Sequence, residues 1–219
     1  MRNERRYLHL LFLFGAILWA AGYWGPWVPH KDAGLIILGI DLGEFVKFLP
    51  QVRSGQIHLW REGFYFPAFA LSLLASSMAW RKELPWRTPF RILANLLSVP
   101  PALAMLPPIW TPHLMLHSPE FRQQSVAIAM ALLASVSSPL LARLPRRATA
   151  AFLSALMAVS ALVPLWQFSK ILDAIASVYA ERIGLGWGIV SMSAGGLSII
   201  AAIVGLLLLP IDESNDPAP

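Results

Sequence analysis

WGIVSMSAGGLSIIAAIVGLLLLPI, residues 187–211, decides the fold of this chain. It runs for 25 residues without a charged side chain. A helix rises 1.5 Å per residue, so about 20 apolar residues cross the roughly 30 Å hydrocarbon layer of a bilayer. Outward from this stretch, five more apolar segments lie at 8–28, 64–80, 89–110, 125–142 and 148–168. The 17 Lys and Arg and 12 Asp and Glu sit in the connections, at the ends, or in the first residues of a span. The expected fold class is all-α: a polytopic transmembrane helical bundle of about six spans, forming one integral-membrane domain over 1–219.

Composition supports the same reading. The chain is 57% hydrophobic and 13% charged, against about 25% charged for soluble domains. With no cysteine, disulfides, iron–sulfur clusters, thiolate zinc sites and a cysteine nucleophile are excluded. The net charge of +5 fits a loop bias toward one side of a membrane better than nucleic-acid binding. The expected surroundings are therefore the lipid bilayer of a cell membrane, crossed several times, with no nucleic-acid partner and no cofactor. The basic start (Arg2, Arg5, Arg6), the apolar run and Ala20-Ala21-Gly22 resemble a signal peptide. The apolar run continues through Tyr23, Trp24 and Trp27, so a retained first helix is expected.

Charge also orients the chain. With the N-terminus inside and six alternating spans, the inside holds ten basic and five acidic residues, and the outside seven of each. The bias favours N-in, C-in. The short connection Arg143-Leu-Pro-Arg-Arg147 is its strongest element. Eight of the nine tryptophans, all but Trp19, lie near a span end, as in an aromatic belt. Thr88-Pro89 and Ser118-Pro119 read as helix starts, with a capping side chain before a first-turn proline.

The last span carries small residues at Gly184, Gly188, Ser191, Gly195, Ser198, Ala202 and Gly205, spaced alternately four and three apart along one helical face. In lipid, close backbone approach drives helix association, so this seam is expected to be a helix-packing interface. It serves either the chain's own bundle, the favoured reading, or a partner subunit. The third span contains Pro100-Pro101 and Pro107-Pro108. A break near 98–101 is expected, because proline removes a donor and clashes with the preceding turn. Broken helices at membrane depth can form substrate sites; Asn95, Ser98, Pro100 and Pro101 are the candidate substrate-binding residues here.

The outer connections, 29–63, 111–124 and 169–186, are expected to form a small lid with short amphipathic surface helices. Asp41 and Glu44 have capping-box spacing before a helix over 42–49. Residues 34–40 are apolar enough for a re-entrant hairpin, although Asp41 and Glu44 oppose deep insertion. A second surface helix is expected over 170–182, with Ile171, Ile175, Val178 and Tyr179 on one face. His113 and His117 are four apart, a spacing that can hold a divalent metal on a helix. The following Ser118-Pro119 places them in a loop instead. The carboxylates Asp41, Glu44, Glu62, Asp173 and Glu181 could gather at this face.

No GxSxG, HExxH or P-loop motif occurs. The expected function is a non-catalytic membrane subunit of a larger, transport-type complex, with an ATPase or permease supplied by a separate chain. The alternatives are an autonomous permease for a lipid or other apolar substrate, and a membrane enzyme with an outward-facing His and carboxylate site.

Overall fold

The structure is a computed structural model that describes residues 2–208. The end of the sixth expected span, 209–211, and the acidic residues Asp212, Glu213 and Asp216 lie outside the described residues. The described chain is mostly helical. Three helices contain stretches long and apolar enough to cross a membrane: α1 (Arg2–Tyr23), α10 (Arg146–Tyr179) and α11 (Trp187–Leu208).

α1 and α11 form an antiparallel pair in contact along their length. Leu8 faces Gly205, Gly15 faces Gly195, and Gly22 faces Gly188 and Met192. A Cβ on Gly195 would sit 2.4 Å from the Trp19 nitrogen, and one on Gly188 would sit 2.6 Å from the Gly22 oxygen. Only glycine permits this approach, and it maximises van der Waals contact where lipid supplies no hydrophobic drive. Ser191 Oγ donates across the pair to the Leu18 carbonyl at 2.9 Å.

α10 corrects one expectation. The fifth span and the anticipated surface helix over 170–182 are a single helix of 34 residues. Pro164 lies inside it without ending it. Ile171 and Ile175 keep its buried face continuous past Phe168. The helix stops where Ala180 turns left-handed, at φ 53°. At 1.5 Å per residue it is about 51 Å long, well beyond a hydrocarbon layer of roughly 30 Å.

The remaining segments are shorter, and prolines set their limits. α4 (Phe66–Met78) carries Pro67 in its first turn. The third segment divides into α5 (Thr88–Leu96) and α6 (Val99–Leu103), the break falling just before Pro100-Pro101. The fourth divides into α8 (Arg122–Val136) and α9 (Ser138–Leu141) around Ser137, ahead of Pro139. The buried hydroxyl of Ser138 donates to the Ser76 carbonyl and ties α9 to α4. Ser98 Oγ meets Ser135 Oγ at 2.8 Å and ties the α5–α6 break to α8.

The connection after α1 is more ordered than its sequence suggests. β1 (Pro26–Val28) pairs antiparallel with β2 (Ile37–Leu38). A re-entrant hairpin is thus replaced by a two-stranded ribbon, with Val28 and Ile37 buried. α2 (Leu42–Phe45) continues as a 3₁₀ turn over Val46–Phe48, and α3 (Pro50–Arg53) follows. The expected capping box does not form: Asp41 makes no side-chain cap, and Glu44 turns to Tyr65 and Lys47. Thr88 and Ser118 likewise make no caps. Trp27 is not part of a belt. It is fully buried, with its ring edge-on to Phe168 and Nε1 donating to the Gly22 carbonyl at 3.1 Å.

The connections sort to two ends of the bundle. At one end, Arg146 Nε meets Glu83 at 2.7 Å, Arg81 bonds the Leu144 carbonyl, and His9 bonds the Glu83 carbonyl. At the other, Arg61 meets Glu120, Tyr179 OH donates to the Leu35 carbonyl, and the Gly186 N–H donates to the Trp27 carbonyl.

Candidate functional site

The densest charged assembly lies at the second of these ends. Glu120 accepts Arg61 Nη1 at 2.7 Å and Lys47 Nζ at 2.8 Å. Lys47 also reaches Glu44 at 2.6 Å, and Arg61 reaches Glu62 at 3.1 Å. Both cations lie over the ring of buried Phe121, at 5.3 and 5.5 Å from its centroid, so cation–π attraction adds to the ion pairs. Tyr65 OH donates to Glu44 at 3.0 Å. The hydrogen bond from Lys47 pulls the Glu120 carboxyl below its usual range, against a raising effect of burial; Arg61 adds to the lowering. Burial pulls Arg61 down, but its hydrogen bond to Glu120 and the charges of Glu62 and Glu44 more than offset this, so the guanidinium stays protonated.

Of the carboxylates expected to gather, Glu44 and Glu62 do so, joined by Glu120. Asp41 stands apart, and burial raises its pKa. Glu181 pairs with His30 at 2.8 Å, and Asp173 is exposed. Beside this layer lies a cavity of about 520 Å³, lined in part by Trp60, Phe66, Phe69, Met105 and Arg122. Its floor includes buried Gln124, whose Nε2 donates to the Met105 carbonyl.

The histidine pair differs from the expected loop. His113 and His117 lie on a helix of their own, α7 (Pro112–His117), capped by Thr111 Oγ accepting from the Leu114 N–H at 3.1 Å. Their rings stack at 4.4 Å, and His117 Nδ1 sits 2.9 Å from the His113 carbonyl. One ring nitrogen, His117 Nδ1, is thereby occupied. Among the described residues no group of three metal-ligating side chains assembles.

The proline break divides its four candidates. Pro100 and Pro101 line an apolar groove of about 400 Å³ between α1, α4 and the α5–α6 break. Ser98 turns away from it, its hydroxyl directed at Ser135 and the Asn95 carbonyl. Asn95 is half-buried and its Oδ1 has no partner. The groove walls are therefore hydrocarbon, with Trp24 toward one end and Trp86 toward the other.

The small-residue seam of α11 is divided too. Gly188, Ser191, Gly195, Ala202 and Gly205 belong to the packed region around α1. Gly184 is exposed, a Cβ added to it would meet nothing nearer than a Pro29 carbon at 4.0 Å, and Ser198 bonds its own helix at the Ala194 carbonyl. Gly196 and Ile199 join the contact from outside the seam.

The chain matches no protein-family model, no curated protein and no solved structure.

Three side chains central to this arrangement carry no sequence signal. Gln167, buried in α10, accepts the Trp60 N–H at 2.6 Å and packs where Gly63 leaves room. Arg81 is buried at the end of α4 and bonds the Leu144 carbonyl at 2.8 Å and Thr149 Oγ1 at 2.5 Å. Arg91 bonds the carbonyls of Trp80, Leu84 and Trp86. For Gln167 and Arg81 the partner lies more than 60 residues away and is unreadable until the fold brings it into range; Arg91 bonds carbonyls of the connection just before its own helix.

Proposed function

We propose that this chain is a multi-pass protein of the cell membrane that acts as a non-catalytic subunit of a larger, transport-type complex. The reading takes the bundle to cross the bilayer six times with both termini inside, α4, the α5–α6 pair and α8–α9 serving as shorter crossings. One observation carries it: the charged groups that the fold brings together are used as ties between segments. Arg61 and Lys47 bind Glu120 across the outer connections, Arg146 binds Glu83, and Arg81 and Arg91 bind backbone carbonyls. A guanidinium bonded in this way positions chain and is not released for chemistry. An ATPase or permease encoded separately would supply the work.

Purification in mild detergent at natural abundance, followed by mass spectrometry of what accompanies the chain, tests this. A stoichiometric ATPase or permease partner supports the subunit. Recovery only as an isolated chain overturns it.

One observation favours a second reading, an autonomous permease for an apolar substrate: the groove at the proline break, with its hydrocarbon walls. Replacing Pro100 and Pro101 together by Ala should then abolish transport while the protein still folds. Unchanged transport removes that reading.

A further inference from the structure

A basic cavity lies next to the apolar groove along α1, and the two have complementary chemistry. The cavity, about 550 Å³, is lined by Arg5, Arg6, His9 and Lys82, with Leu10, Glu83 and Pro85. Leu10 stands one turn before Leu13 of the groove on α1, and Pro85 adjoins Trp86 of the groove. Positive charge therefore sits close to one end of the apolar groove.

The single acid lining the cavity is engaged elsewhere. Glu83 accepts Arg146 Nε at 2.7 Å and lies 4.0 Å from Arg81, both outside the cavity lining. Its carbonyl holds His9 Nε2 at 3.0 Å and fixes that ring at the wall. Arg6 and Lys82 are exposed and make no ion pair with a described residue.

The groove has the dimensions of an acyl chain. Its lining on α1 extends from Phe12 to Trp24, about 18 Å at 1.5 Å per residue. Half of a roughly 30 Å hydrocarbon layer is about 15 Å. Its walls present almost no polar surface, which suits a hydrocarbon tail and leaves a polar solute unpaired.

We infer that the groove and the basic cavity together form a binding site for one anionic glycerophospholipid. The phosphate lies among Arg5, Arg6, His9 and Lys82, and one acyl chain lies along α1 toward Pro100 and Pro101. Anionic lipids are enriched in the cytoplasmic leaflet, and basic pockets between helices on that side select their headgroups. The positive-inside orientation places this cavity there. The inference does not depend on whether the chain is a subunit or a permease.

Native mass spectrometry of the purified full chain tests the assignment, with palmitoyl-oleoyl phosphatidylglycerol and palmitoyl-oleoyl phosphatidylcholine added separately. The wild type should retain the anionic lipid roughly tenfold more strongly or better. Arg6→Gln with Lys82→Gln should bring the two lipids close to parity, and because both side chains are exposed the melting temperature should not move. Lys82→Gln alone, a milder change, should give an intermediate preference. Ala94→Leu, which fills the groove, should weaken both lipids alike. Equal retention by the wild type overturns the assignment, as does a preference that survives the double substitution. Soluble glycerol 3-phosphate binding as tightly as the lipid would make the cavity a free-phosphate site and overturn it as well.

Discussion

Gln167 Oε1 accepts the backbone N–H of Trp60 at 2.6 Å, joining residues 107 apart in sequence. Gln167 is 1% exposed and lies on the longest helix, and Trp60 begins the 3₁₀ turn Arg61–Tyr65 that leads into α4. One buried amide therefore sets where the outer connection meets the bundle. A Cβ on Gly63 would lie 2.2 Å from Gln167 Nε2, so the glycine is required by the glutamine.

Gln167→Leu should accordingly destabilise the protein by about 1–3 kcal/mol, the cost of an unpaired part-buried donor. The melting temperature in detergent should fall, and proteolysis within 29–63 should accelerate. Gly63→Ala should act in the same direction, and the two effects should not add, since they share one contact. Full additivity would show that the two residues act separately.

The α1–α11 pair gives a contrast within a single seam. Gly195→Ala places a methyl group against the Trp19 backbone and should cost about 1–3 kcal/mol by forced separation of the helices. Gly184→Ala, whose added Cβ would meet nothing nearer than 4.0 Å, should leave the melting temperature unchanged. Equal effects at both positions would contradict the packing described for α11.

Arg81 is the most deeply buried charged residue among those described, at 1% exposure. Arg81→Ala should cost about 3 kcal/mol, because it leaves the Leu144 carbonyl, Thr149 and Glu83 each short of a partner. Thr149→Val should cost about 1 kcal/mol, because Arg81 keeps the Leu144 carbonyl. Thermal melts of both variants rank the two losses.

Glu120 and Asp41 should respond to acid in opposite directions. The folded pKa of Glu120 is lowered, first by its hydrogen bond from Lys47. Its contribution is therefore present above the ordinary carboxylate range, near 4.3, and is lost as pH falls through the folded value. The folded pKa of Asp41 is raised by burial, so its charge opposes folding at neutral pH and protonation relieves this as pH falls. At pH 7, Glu120→Gln should lower stability by about 0.5–1 kcal/mol, a modest figure because the carboxylate is half exposed. Asp41→Asn should raise it slightly. Both differences should shrink in melts run below pH 4.

The absence of cysteine makes the orientation directly measurable. Single cysteines at the exposed positions Ser54 and Arg143 should label differently with a membrane-impermeant maleimide. Ser54→Cys should react in intact cells, and Arg143→Cys only after permeabilisation. The reverse order would invert the proposed topology.

Composition and hydropathy along the chain determined the helical class and the three helices long and apolar enough to cross a membrane. In hydrocarbon every backbone polar group must be satisfied within its own segment, so an uncharged run of about 20 residues has few alternatives to a helix. Prolines likewise marked the break before Pro100. Tertiary structure decided the rest. Nothing local separates an α10 that ends at Phe168 from one that continues to Tyr179; the continued burial of Ile171 and Ile175 does. The seam of α11 predicted close packing but not its partner, which is α1. Glu44 sits in a capping box by spacing, yet Tyr65 and Lys47 claim its carboxylate. Spacing describes what a side chain can reach within one turn, as Lys47 reaches Glu44, whereas Tyr65 and the partners of Arg81 and Gln167 arrive from more distant segments.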